Sequence, residues 1–395
     1  MKKNTTIRRT FHRIAVRSIV CVAAAVCAGS AVPLWRIRLI PSLSPFNALL
    51  ATAAGAGALF MAGAAVIALV CAFWPRLFCR WVCPVGTCQD AAAYFIKRRS
   101  WISRMPQIGL WLVFIGTGAA LAGYPLFGWF DPLVLFNAFF GVTRTALETR
   151  DWLAAAGFPA LLILALAAPG LWCGKLCPLG ALQDLVRFPL RQRIPGPQGG
   201  KEAAALGRRA FIGLGLGAGY RFLLPPARAT EADVIRPPAS GAASRFTRLC
   251  VRCGACVRAC PSGIIRFGDG ATGWHGVLAP ELYFDDDYCN PGCNACGKAC
   301  PSGAIQPFKP EQKFKRPLGT AAVDVSHCLL SDNRECGTCT NACPHGALDL
   351  AWDPENMTSR VVVDAAVCTG CGCCEYVCPA TPKAIRVKPV KGVKP

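Results

Sequence analysis

The chain has 395 residues, of which 53% are hydrophobic and only 16% charged, with a formal net charge of +21 and 25 cysteines. A mean hydropathy of +0.37 is too high for an ordinary soluble enzyme and points to membrane segments. Much of the positive charge sits in short loops beside apolar runs, not on a soluble face interleaved with aromatics, which excludes a nucleic-acid-binding protein.

In chain order, a basic start (residues 1–13) leads into four apolar runs, at about Ile14–Leu34, Ala48–Trp74, Ile108–Phe127 and Trp152–Trp172. Each is near the ~20 residues that cross a bilayer, and no polar stripe breaks them as it would in helices of a soluble core. They predict four transmembrane helices. Arg76, Arg80, Lys97, Arg98, Arg99 and Arg104 follow the second run, and Lys175, Arg187, Arg191 and Arg193 follow the fourth. Positive-inside bias then puts the N-terminus and both basic loops in the cytoplasm, on a bacterial inner membrane. Arg36 and Arg38 are a mild counter-signal.

Two of these runs end in copies of one motif. Residues 78–90 read FCRWVCPVGTCQD and residues 172–184 read WCGKLCPLGALQD. Cys79 matches Cys173, Cys83 matches Cys177, and Gln89-Asp90 matches Gln183-Asp184. Packing the second and fourth helices together would gather four thiolates, enough for one cubane cluster whose negative charge the basic loops offset. Reduced structural cysteines are the alternative. Cys88 faces Leu182 in the repeat and is not paired, while Cys21, Cys27 and Cys71 read as buried apolar residues.

A Pro/Gly linker (Ile194–Gly200) precedes GRRAFIGLGLGAGYRFLLPPARA. Arg208-Arg209 with the apolar stretch behind it predicts a twin-arginine export signal, cleavable after Ala229. A fifth membrane helix is the other reading, which Arg221 and five glycines weaken.

From Cys250 the chain is a fourfold repeat. The units are Cys250, Cys253, Cys256 and Cys260; Cys289, Cys293, Cys296 and Cys300; Cys328, Cys336, Cys339 and Cys343; and Cys368, Cys371, Cys374 and Cys378. Three closely spaced thiolates wrap one face of a cubane, and the proline after the fourth turns that cysteine toward the partner cluster. Sixteen cysteines in this order predict four [4Fe–4S] clusters. Zinc sites lack the closing Cys-Pro, and the spacing rejects a disulfide scaffold. Neighbouring motifs pair, or the first with the fourth and the second with the third. Cys373 is surplus and structural. The four histidines (His12, His275, His327 and His345) all lie outside the apolar runs, so no membrane haem is expected. No flavin or nucleotide loop and no nucleophile with a paired base is evident.

The expected fold is therefore an α-helical membrane bundle of four transmembrane helices (residues 1–193), a linker with the export signal or fifth helix (194–232), and an α+β ferredoxin-like domain with four cluster motifs (233–395). The first part, with its two CxxxCP motifs, resembles the NapH/MauN family of ferredoxin-type proteins. The part from Arg208 onward resembles the NapG/MauM family, as if the two were joined. The resemblance implies a quinol dehydrogenase module in which the membrane part takes electrons from quinol and the exported polyferredoxin delivers them to a periplasmic oxidoreductase. It carries ligand roles to Cys79, Cys83, Cys173, Cys177 and the sixteen later cysteines. It makes the chain an electron-transfer component rather than a stand-alone catalyst, with membrane lipid, quinol and a periplasmic redox protein as partners. Asp131 and Glu148 are the weak candidates for a quinol proton acceptor, each read as a solvated loop charge. A maturation factor supplying electrons for another enzyme's cofactor, and a cytoplasmic-facing polyferredoxin, are the competing functions.

Overall fold

In the computed structural model the described residues are 16–20, 22–24, 37, 40–55, 61–96, 100–125, 127–142, 152–192, 199–223, 234–268, 276–313, 315–332, 334–354 and 357–389. The chain divides into two compact units. One comprises Met1–Pro226 with Thr247–Ala255 and Pro301–Ala304; the other comprises Ala227–Phe246, Cys256–Cys300 and Ile305–Pro395.

The first unit is helical. Its main helices are α1 (Pro45–Ala53), α2 (Met61–Phe73), α3 (Leu77–Trp81), α4 (Pro84–Phe95), α5 (Ile108–Leu121), α6 (Pro132–Val142), α7 (Trp152–Ala167), α8 (Pro178–Gln192) and α9 (Gly199–Leu223). Helix α5 packs against α1, α8 and α9, and α7 against α4 and α6. The core includes Phe46, Leu50, Val113, Phe136, Trp172 and Leu179.

The four-helix membrane bundle is not what these residues form. Among the described residues no helix is both long and apolar enough to cross a membrane. The cause is local: a glycine in the left-handed region stops three of the helices that these runs form. Gly55 (φ +93°) follows α1, Gly123 (φ +98°) follows α5, and Gly170 (φ +81°) follows α7. After α5, Tyr124 N–H reaches back to the Ala119 carbonyl (2.8 Å), closing the helix in the manner of a Schellman turn. Its 14 residues span only about 21 Å at 1.5 Å per residue. The first run falls mostly outside the described residues, as do the basic start, Glu148, most of the linker and the cleavage position at Ala229.

The twin-arginine stretch lies within a helix that packs in the first unit. Arg208 and Arg209 are exposed on the 25-residue α9, which also carries Lys201, Glu202 and Arg221. That charge keeps it from qualifying as a span despite its length. Gly213 and Gly217 lie against α5: a Cβ at Gly217 would stand 2.1 Å from the Ile115 carbonyl, and one at Gly118 of α5 would stand 2.3 Å from that of Leu214. Backbones this close require glycine, so α9 is a packed element of the first unit.

The second unit mixes short helices with three two-stranded antiparallel sheets. Ile265–Phe267 (β1) pairs with Pro280–Leu282 (β2), Gly319–Val323 (β3) with Ile385–Pro389 (β6), and Leu348–Asp353 (β4) with Thr358–Val363 (β5). The first hairpin joins motifs one and two, and the β4–β5 hairpin joins motifs three and four. The β3–β6 pair, with Val323 opposite Ile385, ties the chain before the third motif to the chain after the fourth.

Candidate metal centres

Five of the six Cys-Pro steps share one conformation. Cys83, Cys177, Cys300, Cys343 and Cys378 all have φ between −65° and −70° and ψ between 112° and 119°. A following proline excludes the helical region, so the chain turns out of its helix at each of these cysteines. In the ferredoxin motifs a short helix ends there: Ala295–Ala299, Thr338–Ala342 and Cys373–Val377 each stop one residue before the last cysteine. The Pro-x-Gly that follows the first three motifs needs its glycine, since Gly263, Gly303 and Gly346 have φ of +68°, +72° and +60°.

These turns exchange cysteines between neighbouring motifs. One cavity is lined by Cys260 of the first motif with Cys289, Cys293 and Cys296 of the second. Another is lined by Cys328, Cys336 and Cys339 of the third with Cys378 of the fourth. A third is lined by Cys343 of the third with Cys368, Cys371 and Cys374 of the fourth. Neighbours pair; the first-with-fourth alternative does not occur. Cys250 and Cys253 are buried in the first unit, where Asn137 donates to the Cys253 carbonyl. Cys256 (buried) and Cys300 (half-buried) belong to the second. Cys373 lines the third cavity, and its thiol donates to the Ala342 carbonyl (3.2 Å).

In the first unit the two copies of the short repeat meet. Cys83 caps α4, and Cys177, after a wide turn at Trp172–Leu176, leads into α8. Cys79 and Cys173 lie within electrostatic reach of one another, and Cys83 and Cys177 of both. Burial first, and these neighbours second, push the Cys79 thiol up to about 12; Cys83 and Cys177 are also raised. The outer tetrads behave alike: burial and then fellow cysteines push Cys339 up to about 11 and raise Cys374 and Cys296.

That donor set fits [4Fe–4S] clusters. Four thiols crowded in a low-dielectric pocket stay protonated unless a cationic core displaces the protons, which is what iron does on binding. Among the described residues no group of three or more His, Cys, Asp or Glu side chains is gathered to hold a single metal ion. The outer tetrads line cavities, and all-cysteine donor sets of four suit a cubane. None of the described cysteines is in a disulfide.

Several residues in the first and second units carry more than the sequence suggested. Arg76 donates through Nε (2.8 Å) and Nη2 to Asp184, and through Nη1 to the Cys173 carbonyl (3.0 Å). Arg17 makes the same pair of contacts in the other copy, to Asp90 and the Cys79 carbonyl (3.4 Å). Each Asp of the repeated Gln-Asp is thus clamped by an arginine that also holds the first cysteine of its copy. Retention of Gln-Asp in both copies was the available signal. Lys313, largely buried, donates to Cys289 Sγ (3.5 Å) and to the Asn290 carbonyl (2.7 Å), and nothing in the sequence marked it. Asp131 is fully buried, not a solvated loop charge. It accepts from Ser44 Oγ and from Leu133 N–H (2.8 Å), capping α6, and burial pushes it up to about 6.

Comparison with known proteins adds two family matches. A 4Fe-4S dicluster domain matches residues 249–304 and 334–381, and a 4Fe-4S binding domain matches residues 54–102 and 151–197. The chain is 30% identical over 222 residues to the ferredoxin-type protein NapH of Haemophilus influenzae, covering 53% of this chain and 68% of that one. It is 34% identical over 173 residues to the methylamine utilization ferredoxin-type protein MauM of Methylobacillus flagellatus, covering 42% and 73%. It is 32% identical over 170 residues to the ferredoxin-type protein NapG of Escherichia coli, covering 40% and 72%. No solved structure matches.

Proposed function

This chain belongs to the ferredoxin-type [4Fe–4S] protein family of NapH, NapG and MauM, and from that premise we propose that it passes electrons from membrane quinol through five clusters to a periplasmic oxidoreductase. One cluster belongs to each of the four ferredoxin motifs, with ligands at their sixteen cysteines, and one to Cys79, Cys83, Cys173 and Cys177. The chain then combines a NapH/MauN-like part with a NapG/MauM-like part.

One observation carries the reading. Last cysteines are exchanged between motifs, so that Cys378 lines a cavity with Cys328, Cys336 and Cys339 while Cys343 lines one with Cys368, Cys371 and Cys374. Two tetrads interlocked in this way suit short electron hops between clusters. A bound cluster supplies one-electron transfer; the chain's part is to bury it, offset its charge and keep water away.

Membrane association is supported by apolar side chains of the first unit that face outward, among them Val66, Leu69, Leu121, Ile163, Phe211 (82% exposed) and Phe222 (90%). Apolar surface on this scale suits lipid contact. The test is to add a reduced quinol to membranes holding the anaerobically prepared protein and follow bleaching of the cluster absorption. Quinol-dependent bleaching that persists when soluble donors are washed away is the expected result. Clusters that dithionite reduces and quinol does not would end the quinol assignment.

The similarity to the MauM protein permits a second reading, in which the electrons serve assembly of a client enzyme's cofactor. Deleting the gene would then leave the client present but immature, whereas loss of an electron donor or relay leaves it mature and idle.

A further inference from the structure

The repeat in the first unit retains two glutamines that the cluster ligands do not account for. Gln89 and Gln183 occupy equivalent positions on α4 and α8, one residue before the clamped aspartates, and each is only 2% exposed. A buried side-chain amide needs partners for its carbonyl and its NH2 alike. In Gln183 the carbonyl end is fixed first: the Cys71 thiol lies 3.3 Å from Oε1. That contact turns the NH2 end toward the tetrad, and Nε2 donates to Cys79 Sγ at 3.2 Å. Cys79 belongs to the other copy of the repeat, so the amide of one copy serves a thiolate of its mate.

Gln89 is held by the same logic from a different donor. Its Oε1 accepts from Gly170 N–H at 3.0 Å. Its Nε2 is buried and has no hydrogen-bond partner among the described residues, an unfavourable arrangement in a native core. The two carbonyl ends are each pinned, one NH2 meets a sulfur, and the equivalent NH2 is unmatched among the described residues. Gln89 holds in its copy the position that Gln183 holds in the other, and the repeat thereby assigns its NH2 the kind of partner that Gln183 has in Cys79 Sγ.

We propose that Gln89 and Gln183 are a matched pair of amide donors to the sulfur atoms of the inner cluster, Gln183 to the Cys79 thiolate and Gln89 to a thiolate or sulfide on the opposite side, and that together they raise its reduction potential. This rests on the inner tetrad holding a [4Fe–4S] cluster, as proposed above. Reduction adds negative charge to the cluster, and N–H donors to its sulfurs stabilise that form, so their removal favours the oxidised one. The two glutamines are positioning residues; neither ligates iron.

The test uses the full chain, prepared anaerobically, with two readouts. Redox titration followed by electron paramagnetic resonance compares wild type with Gln183→Leu, Gln89→Leu and Gln183→Glu, the inner signal being the one missing from Cys83→Ala. Each leucine variant lowers the midpoint of that one signal and leaves the others in place, and Gln183→Glu, which adds a negative charge, lowers it further. In the second readout, wild-type protein grown with side-chain ¹⁵N-glutamine gives nitrogen hyperfine couplings on the inner signal. One coupling is lost in each leucine variant. Unchanged midpoints in variants with full iron content overturn the proposal, and so does a wild-type spectrum without glutamine couplings, which decides the matter even where a leucine variant fails to assemble. Wild-type protein lacking the inner signal, with iron content one cluster short, would instead remove the inner cluster itself and the pair's role with it.

Discussion

The inner tetrad and the tetrads of motifs three and four use the same Cys-Pro turn in opposite settings. Around the inner tetrad, Cys83 and Cys177 are 3% and 5% exposed while Cys79 and Cys173 are half-buried, and helices α4 and α8, two arginine clamps and a glutamine fix the ligands. Around the third and fourth motifs every ligand except Cys374 is half-buried, and the frame is two hairpin-linked loops that lend each other a cysteine. The inner centre is therefore individually scaffolded, whereas the outer two are jointly scaffolded. Burial disfavours the extra charge of a reduced cluster, so a cluster at the deeper inner tetrad would depend more on its cationic and N–H neighbours than one at the outer tetrads.

The largest effect should come from the ligands. Cys378→Ser is expected to remove the cluster of the third motif and Cys343→Ser that of the fourth, each costing about one fifth of the iron if every tetrad holds one cubane. Because the outer pair shares a frame, each change also broadens or shifts the resonance of the surviving partner. Cys177→Ala removes the inner signal and leaves both outer ones unaltered. Iron content with resonance spectra would check this, and a Cys343→Ser protein that instead lost the third-motif cluster would break the crossed assignment.

Next comes pH. Asp131 titrates near 6 in the fold against ~3.9 unfolded. The folded value is raised, so the native state holds the proton more tightly. Below about pH 4 both states are protonated and nothing is lost; stability then falls as pH rises to about 6, by up to ~3 kcal/mol. Asp131→Asn keeps a cap for α6, removes this loss and flattens the curve. Chemical denaturation at pH 4 and pH 7 would show it, and equal slopes in variant and wild type would refute it. The outer tetrads have no such buried carboxyl among their lining residues, so the pH effect should leave their spectra unmoved.

Asp131 also shows where sequence reading runs out. The cysteine cadence is legible because each motif is local, and the closing Cys-Pro says that the last ligand leaves its own set. It does not say which set that ligand joins; the β3–β6 pairing decides that, over more than sixty residues of sequence. Hydropathy located the apolar runs but not where the helices within them stop, three of which end at the left-handed glycines 55, 123 and 170. Asp131 read as a loop charge because its partner, Ser44, lies 87 residues upstream. Arg17 and Arg76 read as a flaw in an apolar run and as topology signal, and both are ligand clamps. Gln89-Asp90 and Gln183-Asp184 were visible as a repeat, yet a repeat shows that residues matter without showing what they touch.

Smaller effects separate the two halves of the repeat. A Cβ at Gly86 would stand 2.4 Å from the Cys79 carbonyl, whereas one at Gly180 would clear that of Cys173 by 3.2 Å. Gly86→Ala should therefore cost about 1–3 kcal/mol by forcing backbone apart, and Gly180→Ala less than about 1. Equal losses in denaturant midpoint would mean that the copies are more alike than their geometry.

The arginine clamps give the finest test. Arg76 and Asp184 are 26% and 40% exposed, and two donors of Arg76 share that carboxylate. Arg17 is 8% exposed, but its partner Asp90 is 61% exposed and water competes for that oxygen. Arg76→Met should cost about 1–2 kcal/mol and Arg17→Met about 0.5 for the ion pair itself. Salt sharpens the contrast, because screening weakens the exposed pair first. Adding salt should erase the Arg17→Met difference while most of the Arg76→Met difference survives. A clamp matters to the inner centre in proportion to the water it excludes, so the reverse order would mean that the carbonyls of Cys79 and Cys173, rather than the aspartates, are what the two arginines hold.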